Sequence, residues 1–103
     1  MTEPQIRVLQ LIKGLDFGKQ SGGSDKFGFE LTKALRGEDV QVGLAVLNRF
    51  NTDIERECLV ELDTLSIPVF FFEGKSLLKK INSSLLSRYC IQNRINIINS
   101  HFQ

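Results

Sequence analysis

Tryptophan is absent from the 103 residues, tyrosine and histidine occur once each, and cysteine twice. Each shortage removes a class of function. Eight phenylalanines beside one tyrosine is the aromatic usage of a core rather than of a surface that stacks bases. The formal net charge is +1, so no global field draws nucleic acid. Cys58 and Cys90 form no C-x-x-C pair, and a lone His101 offers no metal-type histidine spacing, so free thiols in a reducing cytosol are expected. No signal-peptide pattern opens the sequence and no apolar run is long enough to span a bilayer, which predicts a soluble, cytoplasmic chain. No Ser or Cys has a credible partner base for nucleophilic catalysis.

What is present is ordinary for a folded domain: 42% apolar and 24% charged residues, enough for one modest core that buries roughly 65% of the unfolded surface. The chain is organised around Gln20-Ser21-Gly22-Gly23-Ser24-Asp25-Lys26. Ile6 to Ile12 before it, apolar and branched, predicts a strand. After it, Phe27, Leu31, Ala34 and Leu35 recur at helical spacing, predicting a helix from about Ser24 to Arg36 with that set facing inward and Gly37 as C-cap. The glycine pair predicts a turn with positive φ and close backbone approach to a ligand. Ser24 or a neighbour would cap the helix, and the N–H groups at its start would attract phosphate or carboxylate. A tight strand-to-helix turn with no ligand is the competing explanation.

Further along, Lys13 to Gln20 reads as a loop with an exposed Phe17, and Val40 to Leu47 as strand two, where Gly43 and Ala45 let a helix sit close. Thr52 and Glu55 form a capping box for helix two. Ile54, Cys58, Leu62 and Leu65 line its inner face; Asp53, Glu55, Glu57, Glu61 and Asp63 mostly face water, and these acids are not a glycosidase pair. Pro68 introduces strand three, Val69 to Phe72, apolar on consecutive residues and so buried on both faces. Helix three is expected over Ser76–Asn93 and strand four over Ile95–Asn99. Strand alternating with helix through short connections predicts an α/β domain: an open parallel sheet of about four strands in order 3-2-1-4 with three helices. The carboxyl ends of strands one and four then flank the point where such sheets bind ligands, bringing the glycine loop and Ser100-His101 to one crevice. No G-x-G-x-x-G is present, and strand two ends in Asn48-Arg49 without a ribose-binding acid. A P-loop is excluded as well, because Lys13 stands where its first glycine belongs before Gly18-Lys19.

On Gly22-Gly23-Ser24-Asp25-Lys26 with Phe29-Glu30-Leu31-Thr32-Lys33-Ala34-Leu35, on Ile67-Pro68-Val69, and on Ile97-Ile98-Asn99-Ser100-His101-Phe102, nearly the whole chain resembles the amino-terminal, acceptor-side Rossmann-like domain of a retaining GT-B glycosyltransferase. Asp25 stands where that family usually has Glu, and Asn99 replaces the first His of a His-x-His pair that His101 completes. The resemblance implies that residues 1–103 are one Rossmann-like domain, an incomplete half of a GT-B fold. It implies transfer of a sugar from a nucleotide-diphosphate donor to a lipid, polysaccharide or small-molecule acceptor, without a metal or other cofactor. Gly22, Gly23 and Ser24 would meet the donor diphosphate or the acceptor, Lys19 or Lys26 would add charge, and His101 would line the cleft. The missing carboxyl-terminal domain would hold most of the donor, so the 103 residues alone are expected to be inactive. A non-catalytic flavodoxin-like binding or interaction module is the alternative.

Two surface expectations complete the reading. Lys75, Lys79, Lys80, Arg88 and Arg94 occur from Lys75 onward with no acid, so helix Ser76–Asn93 either rests on the inner face of a membrane as a peripheral contact or is a solvated face packed on the sheet. Strand four would be an uncovered edge, predicting marginal stability, self-association or a helix borrowed from a partner.

Overall fold

The computed structural model describes residues 6–19, 22–37, 39–71 and 83–101, the side chains of 83–85 excepted. Four strands, β1 (Ile6–Ile12), β2 (Val40–Val46), β3 (Val69–Phe71) and β4 (Ile97–Ser100), alternate with helices α1 (Gly23–Leu35), α2 (Asp53–Thr64) and α3 (Ser83–Gln92). The sheet is parallel throughout in the order β3-β2-β1-β4, the expected α/β, Rossmann-like arrangement.

Alternation of side chains along β1 and β2 splits the core in two, as a sheet covered on both faces requires. Val8, Ile12, Val42, Leu44 and Val46 meet Phe29 of α1 and Cys58 and Leu62 of α2. On the opposite face Leu9, Leu11 and Ala45 meet Leu86, Tyr89 and Cys90 of α3. Gly43 lies beside α3, but a Cβ there would make ordinary contact, 3.6 Å from the Tyr89 hydroxyl, so the close approach expected of it does not depend on glycine. Tyr89 in turn stacks on Phe70 with ring centroids 4.6 Å apart.

Several expectations need correction. Helix α1 turns Asp25, Gly28, Phe29 and Thr32 inward, whereas Phe27 is 60% exposed and Ala34 faces water. The period was right and the phase was not. Its cause is Gly28: a Cβ there would sit 2.6 Å from Ile12 Cγ2, so the helix approaches β1 on its glycine side rather than on its most apolar side. Phe17 is half-buried rather than exposed because its ring packs 5.4 Å from that of Phe29. The C-cap of α1 is Arg36, not Gly37. Strand β3 is half-buried along its length rather than buried on both faces, since among the described strands it pairs with β2 alone.

Helix α2 keeps its expected inner face, with one exception. Glu55 is 1% exposed and turns back to accept the N–H groups of Phe50 at 2.8 Å and Asn51 at 3.0 Å. The Thr52 hydroxyl accepts from Glu55 N–H, so the N-cap half of the expected capping box forms, while the Glu55 carboxylate reaches past Thr52 N–H to the two preceding residues, and with two N–H partners it tolerates burial. Strand β4 begins later than expected because Asn96 brackets Arg7: its N–H donates to the Arg7 carbonyl and its Oδ1 accepts Arg7 N–H. Residues 72–82 lie outside the described set, and with them the expected start of helix three, Lys75, Lys79, Lys80 and Phe72. No described helix is long and apolar enough to cross a membrane.

Candidate functional site

Three loops rise at the carboxyl end of the sheet. Lys13 to Lys19 follows β1, Leu47 to Thr52 follows β2, and His101 follows β4. The first two are bound together from below. Leu47 and Asn48 donate to the carbonyls of Ile12 and Lys13 at 3.0 and 2.8 Å. The Thr52 hydroxyl donates to the wholly buried carboxylate of Asp16 at 3.2 Å. Asp25, 2% exposed, accepts Lys13 N–H at 2.9 Å and so fixes where the chain leaves β1.

These bonds decide the electrostatics of the site. Three carboxylates at this end of the sheet, Asp16, Asp25 and Glu55, are buried and engaged, while Asp53 at the start of α2 is exposed and pairs with Arg56. Lys13, Lys19, Lys26 and Arg49 remain on the exposed surface, Arg49 over the Phe71 ring at 3.9 Å. Among the described residues this end therefore exposes more base than acid, although the chain as a whole is near neutral.

At the centre lies the start of α1. Gly22 is its N-cap, in extended conformation with φ −97°, and among the described residues no side-chain cap bond closes the helix start. Ser24 therefore does not cap; it is the second helical residue and half-buried. The first intrahelical bond runs from Lys26 N–H to the Gly22 carbonyl. The glycine pair does not supply positive φ either; Gly18, at φ +85°, is the described glycine that does. Nor is packing a reason for the pair, because a Cβ on Gly22 or Gly23 would meet nothing within 4 Å. Gly22 suits the N-cap position it occupies, while neither a positive φ nor a close contact accounts for Gly23.

His101 reaches α1 one turn further along. Its ring meets Phe27 edge-on with centroids 5.9 Å apart and lies against Gly28. Its Nε2 is 3.0 Å from Gln10 Oε1. Thus Gly22, Gly23, Ser24, Lys19 and Lys26 share one end of the sheet around the α1 start, while His101 stands beside them on the β4 flank. No group of His, Cys, Asp and Glu that could hold a metal occurs among the described residues.

Gly28 and Gln10 shape this site and were not singled out from the sequence, and the burial of Asp25, noted there only as part of the glycine stretch, was not foreseen. Each left a signal: a glycine inside a helical period, an acid in a first turn, and an amide in an otherwise apolar strand core. The thiols take no part. Burial pushes Cys58 up to about 11, and Cys90 is raised by burial on the opposite face.

Fold and site together define an α/β domain with exposed basic residues around the start of α1, at the carboxyl end of its sheet. Compared with protein-family models, with characterised proteins and with solved structures, the chain matches none of them.

Proposed function

We propose that the chain binds the diphosphate of a nucleotide sugar at the start of α1, as the acceptor-side domain of a glycosyltransferase whose donor domain supplies the rest of the site. The observation that carries this reading is the glycine pair over open space: Gly22 and Gly23 satisfy neither a positive φ nor a close contact, yet they leave uncovered the N–H groups at a helix start with no side-chain cap bond among the described residues. Backbone N–H groups there and the local dipole favour an anion. Lys19 and Lys26 add charge from either side, and His101 addresses the acceptor. Sugar transfer belongs to the two-domain enzyme; this domain binds and orients.

The test is a titration with uridine diphosphate and, separately, inorganic pyrophosphate, followed by the backbone amide spectrum. Shifts centred on Gly22, Gly23 and Ser24, weakened at least tenfold in Gly23→Val and in Lys19→Ala with Lys26→Ala, are expected. If those amides stay still at millimolar ligand while the fold is intact, the reading fails. A second reading, a non-catalytic flavodoxin-like interaction module, is favoured by one feature: Ile97 and Ile98 are 43% and 47% exposed on the edge strand β4. That module would leave the titration silent.

A further inference from the structure

Gln10 is wholly buried in the central strand β1, and its Nε2 has no hydrogen-bond partner among the described residues. Its Oε1 faces His101 Nε2 at 3.0 Å. A buried amide with one end bonded and the other orphaned is an expensive choice for a core position that Leu or Met would fill without loss. The bonded end is therefore where its use lies.

The surroundings of the ring define its orientation. A Cβ on Gly28 would lie 3.0 Å from His101 Cδ2 and 3.1 Å from Cγ, so that side of the imidazole is pressed against α1. Nε2 is turned to Gln10. The remaining edge, Nδ1 and Cε1, points away from both, and Nδ1 has no protein partner among the described residues. His101 as a whole is half-buried.

We propose that Gln10 is a positioning residue that fixes the tautomer of His101: Nε2–H donates to Gln10 Oε1, and the Nδ1 lone pair is presented to a hydroxyl or other proton donor on the bound ligand. The inference rests on the reading of this end of the sheet as a ligand site. Only this orientation of the amide serves both charge states of the ring. With Oε1 inward, Nε2–H donates whether His101 is neutral or protonated. With the amide reversed, Gln10 would donate to a bare Nε2, Nδ1 would carry the proton, and protonation would set two donors against each other. Gln10 thus holds the ring through gain and loss of a proton at Nδ1.

His101 is the single histidine of the sequence, so its ring can be read without ambiguity by two-bond proton–nitrogen correlation in uniformly 15N-labelled, ligand-free protein. The expected result above the titration range is a widely separated pair of nitrogen resonances, Nε2 protonated and Nδ1 bare. In Gln10→Leu, which removes the orphaned amide along with the acceptor, that separation should narrow as both tautomers become populated. A wild-type ring protonated at Nδ1, or one whose two nitrogens are already averaged, overturns the proposal. So does a folded Gln10→Leu variant with an unchanged ring spectrum. If that variant does not fold, the wild-type spectrum across the titration decides: the Gln10 side-chain amide should keep its environment when His101 protonates, and a reorientation overturns the idea. Both spectra are read without ligand, so a negative result strikes Gln10 alone and leaves the diphosphate titration as an independent test.

Discussion

Gly28 and the Gly22-Gly23 pair lie on the same helix and serve opposite purposes. At Gly28 the missing side chain is filled by Ile12 and His101; at Gly22 and Gly23 it is filled by nothing. Gly28→Ala should therefore cost about 1–3 kcal/mol through overpacking, read from chemical denaturation. Gly23→Ala should stay within about 0.5 kcal/mol of the parent, because its φ suits any residue and the space is open, and Gly22→Ala should cost no more than about 0.5–1 kcal/mol, the loss of a favoured N-cap residue. Stability that falls equally at all three positions would refute the distinction, and with it the argument that Gly23 is kept for a ligand. Cys58 gives a second prediction at this scale. Burial pushes its thiol from an ordinary value of 9.0 up to about 11 in the folded chain. Between those values the unfolded state sheds its proton first, so stability falls as pH rises, by on the order of 2 kcal/mol over the window. Lys33, raised mainly by its hydrogen bond to Glu61, acts in the same direction at higher pH. Urea midpoints from pH 8 to 11 should decline less steeply in Cys58→Ala than in the parent; parallel declines would remove the thiol from the account.

Among the elements, α2 shows how a rule can succeed in outline and miss the detail that matters. Thr52 with Glu55 announces a helix start in any sequence. That Glu55 would be buried, tying down Phe50 and Asn51, depends on β1 and β2 holding the loop at that height. Replacing it with Ala leaves two N–H groups without their charged acceptor, for an expected loss of about 2–3 kcal/mol and faster amide exchange at Phe50 and Asn51; a loss below about 0.5 kcal/mol would contradict the role. The same limit explains α1. Hydrophobic period identifies a helix, and Phe27, Leu31, Ala34 and Leu35 gave that period, but only Gly28 says which side can come close to the sheet. Strand order was legible because βαβ units have one hand and short connections. The buried carboxylates Asp16 and Asp25 were not, since a charge signals solvent until its partners, here backbone N–H and a hydroxyl from another loop, are in place. The excess of exposed base at this end was hidden for the same reason: the sequence counts acids and bases almost equally, and here the fold buries Asp16, Asp25 and Glu55.

For the whole molecule, the decisive fact is that cover is unequal across the sheet. Central β1 and β2 are buried along most of their length, while every described position of β4 is half-buried or exposed. Val8 and Ile12 are packed under α1 and α2, yet Ile97, opposite Val8 in register, is 43% exposed. Local stability follows burial of this kind. Amide exchange should therefore be slowest at Leu9 to Ile12 and Val42 to Val46 and faster by orders of magnitude on β4. Edge strands usually carry a charge, a proline or a bulge that discourages pairing, and Ile97-Ile98-Asn99-Ser100 has neither charge nor proline. With two adjacent isoleucines exposed on opposite faces, β4 is expected to join copies of the chain, so sedimentation should show an average mass rising with concentration. Ile98→Lys, which adds charge to the edge without touching Gln10 or His101, should abolish that rise and leave the monomer folded. The β4 amides tell the same story from inside: their exchange should slow as concentration rises in the parent and be independent of concentration in the variant. A parent that stays monomeric at millimolar concentration, with β4 protected as well as β2, would mean that something within the chain already covers the edge.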